Sequence, residues 1–308
     1  MTNSPFFSVI IPLYNREAKI KKAIESILNQ EFQDFEIIVI DDCSSDRSCE
    51  VVLSMPDERI HLIKNKSNLE RCETRNKGIQ HAKGKYICFL DSDDYHLTNH
   101  LSKLHQQIVD LNEPKAFFFT NSWNETEDGI RSERTCPSIE NIDLYTYFLK
   151  YTVNPQRWAV ERSLASEILF DPNVLICEDM DFSLRVVQSN YPVHQVNERT
   201  TVYVAALDSF THGDPQKWEK ELFYLKRIFA KEKLKSVLPK NETKRLLSMC
   251  YFHLARKNFH LKKNWKTLKF AVQSYVTYPK GYNGKTNRDV LIMTFYSLFF
   301  VQQWRNKN

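Results

Sequence analysis

Glycine is scarce, with six in a chain of 308 residues. A dinucleotide-binding turn of the G-x-G-x-x-G type and a P-loop both need glycines where the backbone approaches a pyrophosphate closely. Neither pattern occurs, which argues against a nucleotide-dependent dehydrogenase and a phosphate-cradling NTPase. Paired cysteines are missing too. The seven cysteines, at 43, 49, 72, 88, 136, 177 and 250, form no C-x-x-C and are odd in number, so they indicate neither a zinc site nor a disulfide framework and read as reduced thiols. No apolar run reaches the roughly 18 to 20 residues that a bilayer-spanning helix needs. The opening Met1-Thr-Asn-Ser-Pro-Phe-Phe lacks the charged and apolar blocks of a signal peptide, and the expectation is a cytoplasmic protein.

What is present is an ordinary globular composition, 42% hydrophobic and 26% charged, with enough length for one large domain and a smaller one. The net charge of +5 is unevenly spread. Residues 1–212 hold 22 Lys/Arg against 32 Asp/Glu, whereas residues 213–308 hold 21 against 6. A basic C-terminal segment suggests an anionic partner: a phospholipid surface, a lipid pyrophosphate or nucleic acid. Nucleic acid fits poorly, because no recognised nucleic-acid motif accompanies the basic segment and the acidic first part would repel a phosphate backbone.

The first 120 residues alternate short β-branched or aromatic runs with amphipathic stretches, which implies an α/β fold around a mostly parallel sheet. The runs predict strands at Phe7–Ile11, Glu36–Ile40, Ile60–Ile63, Tyr86–Leu90 and Ala116–Thr120. Ile20, Ala23, Ile24, Ile27 and Leu28 recur at helical spacing and predict a helix laid on that sheet. A second helix is expected over Leu69–Ala82 and a third after Thr98, placed to cap it. Residues 121–155 read as loops and an edge strand. Apolar periodicity returns at Ser163–Ile168 and Asp181–Val187, followed by a strand over His194–Ala205. Beyond Gly213 the pattern is Lys-rich and helical near Gln216–Lys233, Glu242–Phe259 and Trp265–Tyr275, and ends in an apolar stretch, Val290–Val301.

Two carboxylate clusters fall just past the C-terminal ends of expected strands, where such a fold places functional loops. Asp41 and Asp42 follow one strand; Asp91, Asp93 and Asp94 follow another. Asp-Ser-Asp-Asp is by itself also an ordinary turn sequence. Carboxylates crowded at one edge repel unless a cation neutralises them, so the arrangement asks for a hard divalent metal, Mg2+ or Mn2+. A later acidic segment, Glu178-Asp179-Met180-Asp181, adds a third cluster.

Five segments taken together carry a resemblance: Ser8-Val-Ile-Ile-Pro-Leu-Tyr-Asn15, Ile37-Ile-Val-Ile-Asp-Asp-Cys-Ser-Ser-Asp46, Arg75-Asn-Lys-Gly-Ile79, Gly84-Lys-Tyr-Ile-Cys-Phe-Leu-Asp-Ser-Asp-Asp94 and Cys177-Glu-Asp-Met-Asp-Phe-Ser-Leu-Arg185. In order and spacing they closely resemble the family 2 glycosyltransferases of the GT-A fold. The resemblance implies a GT-A catalytic domain over residues 1–212, with a donor-binding half at about 1–120 and an acceptor half at about 121–212. A basic helical domain would follow over 213–308. It implies an inverting, metal-dependent transfer of a sugar from a nucleotide diphosphate donor to the hydroxyl of a glycan or lipid-linked saccharide, in cell-envelope polysaccharide synthesis.

By the same resemblance Tyr14 lies against the nucleotide base, Pro12 and Ser92 belong to the nucleotide-sugar site, and Asp42 meets the base. A carboxylate suits a base presenting N–H between two carbonyls, which favours a UDP-sugar or dTDP-sugar. Arg75 faces the donor. Asp91 and Asp93 form the Asp-x-Asp motif: Asp91 meets the ribose or the metal's water shell, and Asp93 binds the metal that holds the two phosphates. Asp94 is a supporting or helix-capping group. Asp179 matches the general base that takes the acceptor's proton, and Glu178 either raises its proton affinity or binds the acceptor. Many relatives carry a histidine in a Tyr-x-x-His segment, where Tyr203-Val-Ala-Ala206 has alanine; His212 is a candidate replacement as metal ligand.

In the basic segment, lysines interleave with Trp218, Phe223, Tyr224, Phe229, Trp265 and Phe270, as suits helices lying on an anionic membrane surface. Leu291–Val301 is expected to pack on the protein instead. The expected setting is therefore the cytoplasm, peripheral on the inner face of the membrane. A noncatalytic nucleotide-sugar or glycan-binding relative is the alternative; it would keep the aromatic surfaces and lose the base, whereas Asp179 is present.

Overall fold

The run Phe7–Leu13 is β-branched and apolar at almost every position, and it forms β1 at the centre of the first part of the sheet. In the computed structural model, which describes residues 4–126, 128–134, 136–204, 216–261 and 263–280, the chain separates into two compact units, Met1–Ser209 and Phe210–Asn308.

In the first unit β1 pairs in parallel with β2 (Phe35–Asp41) and β4 (Tyr86–Phe89), and β2 pairs in parallel with β3 (Ile60–Lys64). Phe7 stands opposite both Phe35 and Tyr86, so the three strands start level and finish at one edge. That register brings Tyr14, Asp42 and Asp91 to the same side of the sheet. A buried network locks the opposite end: Ser8 Oγ donates to Glu36 Oε1 at 2.6 Å and accepts from Gly84 N at 2.8 Å. Gly84 is required there, because a Cβ would sit 2.5 Å from Ser8 N.

Helix α1 (Ile20–Leu28) lays Ile20, Ala23, Ile24 and Ile27 into the core, and the short α2 (Ser48–Leu53) follows β2. Helix α3 (Glu70–His81) packs on β1 and β2, with Gly78 so close over Ile10 that any side chain would collide. Beyond β4 the strand directions change. The sheet runs β3-β2-β1-β4 and on through β8 (Trp158–Glu161), β6 (Phe117–Glu125), β9 (Val193–Val204) and β5 (Tyr95–His96), with β7 (Arg131–Arg134) paired to β6. β8 lies antiparallel between β4 and β6. β9 runs parallel to β6 with register shifts around Asn121, and β5 is antiparallel to β9. Helices α4 (His100–Asp110), α5 (Leu144–Lys150), α6 (Arg162–Ile168) and α7 (Glu178–Gln188) complete the unit.

Beneath α7 lies an aromatic cluster. Trp158 stacks on Phe170 at 5.9 Å and on Phe182 at 5.1 Å, and Phe89 meets Phe170 edge-on at 5.6 Å. Large rings carry much of the burial energy of such a core, and here they seat α7 against the end of β4.

Several expectations need correction. Thr98 does not cap α4: the cap position is Asn99, and no side chain makes the capping bond. The 121–155 segment is more regular than expected, because β6 continues to Glu125 and α5 forms with Asp143 Oδ2 accepting from Thr146 N at 2.8 Å. β8 was not expected as a strand. Helix α7 starts at Glu178 rather than Asp181, so the acidic segment is helical. Within the second unit the helix expected over 216–233 is two, α8 (Lys217–Phe229) and α9 (Glu232–Lys235). They precede α10 (Lys240–His260) and α11 (Asn264–Thr277), which are joined by Ser248 Oγ donating to Ser274 O and Ser274 Oγ to Ser248 O, each at 2.9 Å. Phe223 and Trp265 are exposed, whereas Trp218 stacks on His253 at 3.8 Å. Leu291–Val301 lies outside the described residues, as does His212. Among the described residues no helix is long and apolar enough to cross a membrane.

Candidate active site

Where β1 ends, Tyr14 is 48% exposed, the next residue, Asn15, turns the chain at φ 49°, and Pro12 is partly buried inside the strand. Asparagine tolerates this left-handed backbone because its short polar side chain bonds locally. Here Asn15 Oδ1 accepts from Ser45 N at 2.8 Å, and Asn15 N donates to Ser44 Oγ at 3.0 Å, which ties the β1 loop to the loop after β2. Asp42, on that second loop, is buried and accepts at Oδ1 from Asn65 Nδ2 and from Leu69 N, both at 2.8 Å.

The loop after β4 carries Asp91, Ser92, Asp93 and Asp94, turned by Asp94 N donating to Asp91 O at 3.0 Å. Ser92 is buried. Asp94 is also buried, and accepts from Val204 N at 2.8 Å and Gln156 Nε2 at 2.7 Å. It therefore tethers the loop to β9 and to the turn Pro155–Arg157 and caps no helix. Burial, and then the Asp91 and Asp93 carboxylates, push its pKa well above the usual range. Burial and then Asp91 also raise the pKa of Asp93, against the opposing pull of Arg16, whose Nε lies 3.4 Å from Asp93 Oδ2.

Arg75 projects from α3 and is 3% exposed. Its Nη2 donates to Asp91 Oδ1 at 2.8 Å and its Nη1 to Glu178 Oε1 at 3.0 Å. Burial opposes its charge, but Asp91 and Glu178 more than offset that and hold the guanidinium firmly protonated. Its carbon lies 5.4 Å from the Phe170 ring centroid, on the aromatic cluster that seats α7. Arg71, one helical turn earlier, reaches the same Glu178 oxygen at 3.4 Å.

Cys177, with φ 63°, turns the chain into α7. Asp179, in the first turn, accepts from Met180 N at 2.8 Å. Burial, and then the Glu178 carboxylate, raise its pKa to about 7, with the Met180 N–H and Arg75 opposing. A carboxyl tuned to that value exchanges protons near neutral pH, as a general base must.

Arg75 thus links Asp91 to Glu178, the residue before Asp179 in α7, and Arg16, from the loop after β1, meets Asp93 in the loop that carries Asp91. Tyr14 and Asp42 stand at neighbouring strand ends. Among the described residues no three His, Cys, Asp or Glu side chains are grouped to hold a metal ion. The sequence reading missed Arg16, Arg71, Asn65 and Gln156. Two of them were accessible to it: Arg71 is four residues from Arg75 on one helix face, and Arg16 directly follows Pro-Leu-Tyr-Asn.

Sheet order, the parallel first half and the carboxylate loop at the end of β4 define an α/β protein of the GT-A class, followed by a helical region. The model of the family described as glycosyl transferase family 2 matches residues 8–167, and the chain belongs to that family. The putative colanic acid biosynthesis glycosyl transferase WcaA of Escherichia coli is 30% identical over 226 residues, 70% of this chain and 76% of that protein. TarS from S. aureus, solved in complex with UDP-GlcNAc, matches with a TM-score of 0.64 at 16% identity, over 98% of this chain and 91% of that one. The mannosyltransferase PcManGT of Pyrobaculum calidifontis, solved with GDP-Man and Mn2+, gives 0.58 at 16% identity, over 97% and 86%.

Proposed function

We propose that this protein transfers a sugar, with inversion, from a nucleotide diphosphate donor to an acceptor hydroxyl, with Asp179 as the base. A UDP-sugar is the favoured donor and a saccharide or lipid-linked saccharide the acceptor, in cell-envelope polysaccharide synthesis. The observation that carries this reading is the Arg75 bridge, which sets the Asp-x-Asp loop beside the helix start that bears a carboxyl with a pKa of about 7. WcaA, named for colanic acid biosynthesis, and TarS, solved with UDP-GlcNAc, support the polymer and the donor.

Tyr14 offers an exposed ring for the base. Asp42 uses only Oδ1 for its two structural bonds, which leaves Oδ2 for an imide proton. The donor set of Asp91 and Asp93 fits a hard divalent ion, Mn2+ or Mg2+, which takes one or two carboxylates together with phosphate oxygens and water. Burial and like charge both disfavour ionised Asp93, and a cation on it would relieve that strain. Such an ion, when bound, supplies Lewis-acid neutralisation of charge on the departing diphosphate. Asp179 receives the acceptor's proton at its carboxylate, and the Met180 N–H and Arg75 keep it ionisable. Glu178, held by Arg75 and Arg71, fixes the start of α7 and keeps negative charge beside the base. The basic helical unit would rest on an anionic membrane surface at its inner face.

The test is nucleotide release from UDP-GlcNAc, with and without acceptor glycans, across a Mn2+ titration. Wild type should turn over, and Asp93→Ala and Asp179→Asn should each fall by a factor of roughly 100 or more. Donor binding by wild type without any turnover would favour the noncatalytic reading instead.

A further inference from the structure

Arg16 has no part in the scheme above, yet it touches the one carboxylate of the Asp-x-Asp motif that Arg75 leaves alone. Its Nε is 3.4 Å from Asp93 Oδ2, with the two side chains 23% and 22% exposed. The main chain beneath it is fixed. Arg16 N donates to Ser48 Oγ at 2.8 Å, and Arg16 Nη1 donates to Asn15 O at 3.1 Å, at the left-handed turn that closes β1. Arg75 makes the opposite kind of contact: buried, two nitrogens on two carboxylates, at 2.8 and 3.0 Å. Arg75 is therefore built in as structure, with short bonds to two carboxylates, while Arg16 meets Asp93 through a longer contact nearer the rim of the site.

Placement gives the rim arginine a second partner. Arg16 follows Tyr14 by two residues and its Nε lies 3.4 Å from Asp93 Oδ2, so it connects the segment bearing the exposed ring with the loop after β4. A nucleoside diphosphate with its base on Tyr14 and its phosphates near Asp93 would bring those phosphates within reach of the side chain that already touches Asp93. A cation arriving on Asp93 would release the guanidinium, and a planar fork of N–H donors is matched to phosphate oxygens. We infer that Arg16 is a diphosphate-binding residue, which covers Asp93 in the donor-free protein and transfers to the donor's phosphate oxygens on binding. This rests on the nucleotide-sugar reading and adds a residue to it.

Calorimetry with Mn2+ present would compare UDP and GDP on wild type, Arg16→Met and Arg16→Lys, with the matching nucleoside followed by ligand-observed NMR. Arg16→Met should weaken the diphosphate about tenfold, the loss of one charge-assisted contact, and leave the nucleoside unchanged. Arg16→Lys should fall between, since it keeps the charge and loses the fork. Mn2+ alone should bind Arg16→Met more tightly than wild type, because Asp93 has lost its covering cation. Equal melting temperatures would show that the variants are folded; if Arg16→Met melts lower, the comparison rests on Arg16→Lys. Diphosphate and nucleoside affinities that move together, or not at all, overturn the inference. A wild type that binds neither UDP nor GDP overturns the underlying nucleotide-sugar reading.

Discussion

Asp91 and Glu178 are held by the same guanidinium. Arg75 Nη2 bonds to the first at 2.8 Å and Arg75 Nη1 to the second at 3.0 Å, so the loop after β4 and the start of α7 are fixed across one planar group. Arg75 lies on a third element, α3, which Gly78 allows to sit directly on β1. Strand end, helix face and helix start therefore move as one piece, the kind of pre-organisation a site needs when reacting groups come from separate segments.

Arg75→Met should be the most damaging substitution here. It removes the cation shared by Asp91 and Glu178, with Arg71 still on Glu178 and the Asp91 side chain 29% exposed, so the cost should fall below the roughly 3–5 kcal/mol of breaking a fully buried pair. Urea unfolding at neutral pH should show the loss as a lower midpoint.

The proton affinity of Asp179 gives a pH dependence with a definite sign. Its folded pKa, about 7, lies above the ordinary aspartate value of 3.8, so turnover should rise with pH through about 7 as the base is deprotonated. Stability runs the other way. The folded state binds the proton more tightly than the unfolded one, so this contribution is full below about 3.8 and is lost as pH rises through about 7. Asp179→Asn should therefore melt higher than wild type at pH 8, and this advantage should shrink towards pH 4.

Tyr14→Ala separates binding from folding. The ring is 48% exposed, so stability should change by no more than about 0.5 kcal/mol. If the ring stacks on the base, UDP affinity should drop by about 1–3 kcal/mol, read by calorimetry.

Gly84→Ala tests the locked end of the sheet, away from the chemistry. The new methyl would meet backbone atoms, with Ser8 N only 2.5 Å away, and flexible side chains cannot make room for it. A loss of about 1–3 kcal/mol is expected for such overpacking, with a lower melting temperature and an unchanged KM for the donor.

The parts legible in the sequence were those with a local cause. β1, β2 and β4 are unbroken β-branched or aromatic runs, and α1 carries its apolar residues at helical spacing. β8 was not legible: Trp-Ala-Val-Glu is short and unpatterned, and it becomes a strand only because β4 and β6 supply hydrogen bonds on both sides. The far half of β6, Asn121–Glu125, is polar and weak in strand propensity, and pairing with β7 and β9 holds it extended. Asp143 caps α5 by accepting from the backbone N–H of Thr146, but the helix is only seven residues long, too short for its apolar spacing to stand out.

By itself the sequence determined which strand ends carry Tyr14, Asp42 and the Asp91–Asp94 loop, because parallel strands in register must finish at one edge. It also marked Glu178 and Asp179 as an acidic helix start. What these groups face follows from the docking of segments far apart in the chain. Arg75 between Asp91 and Glu178, Arg16 against Asp93 and Asp94 tied to β9 each depend on how distant segments dock. Burial and neighbouring charge, which raise the pKa of Asp179, exist only after that docking.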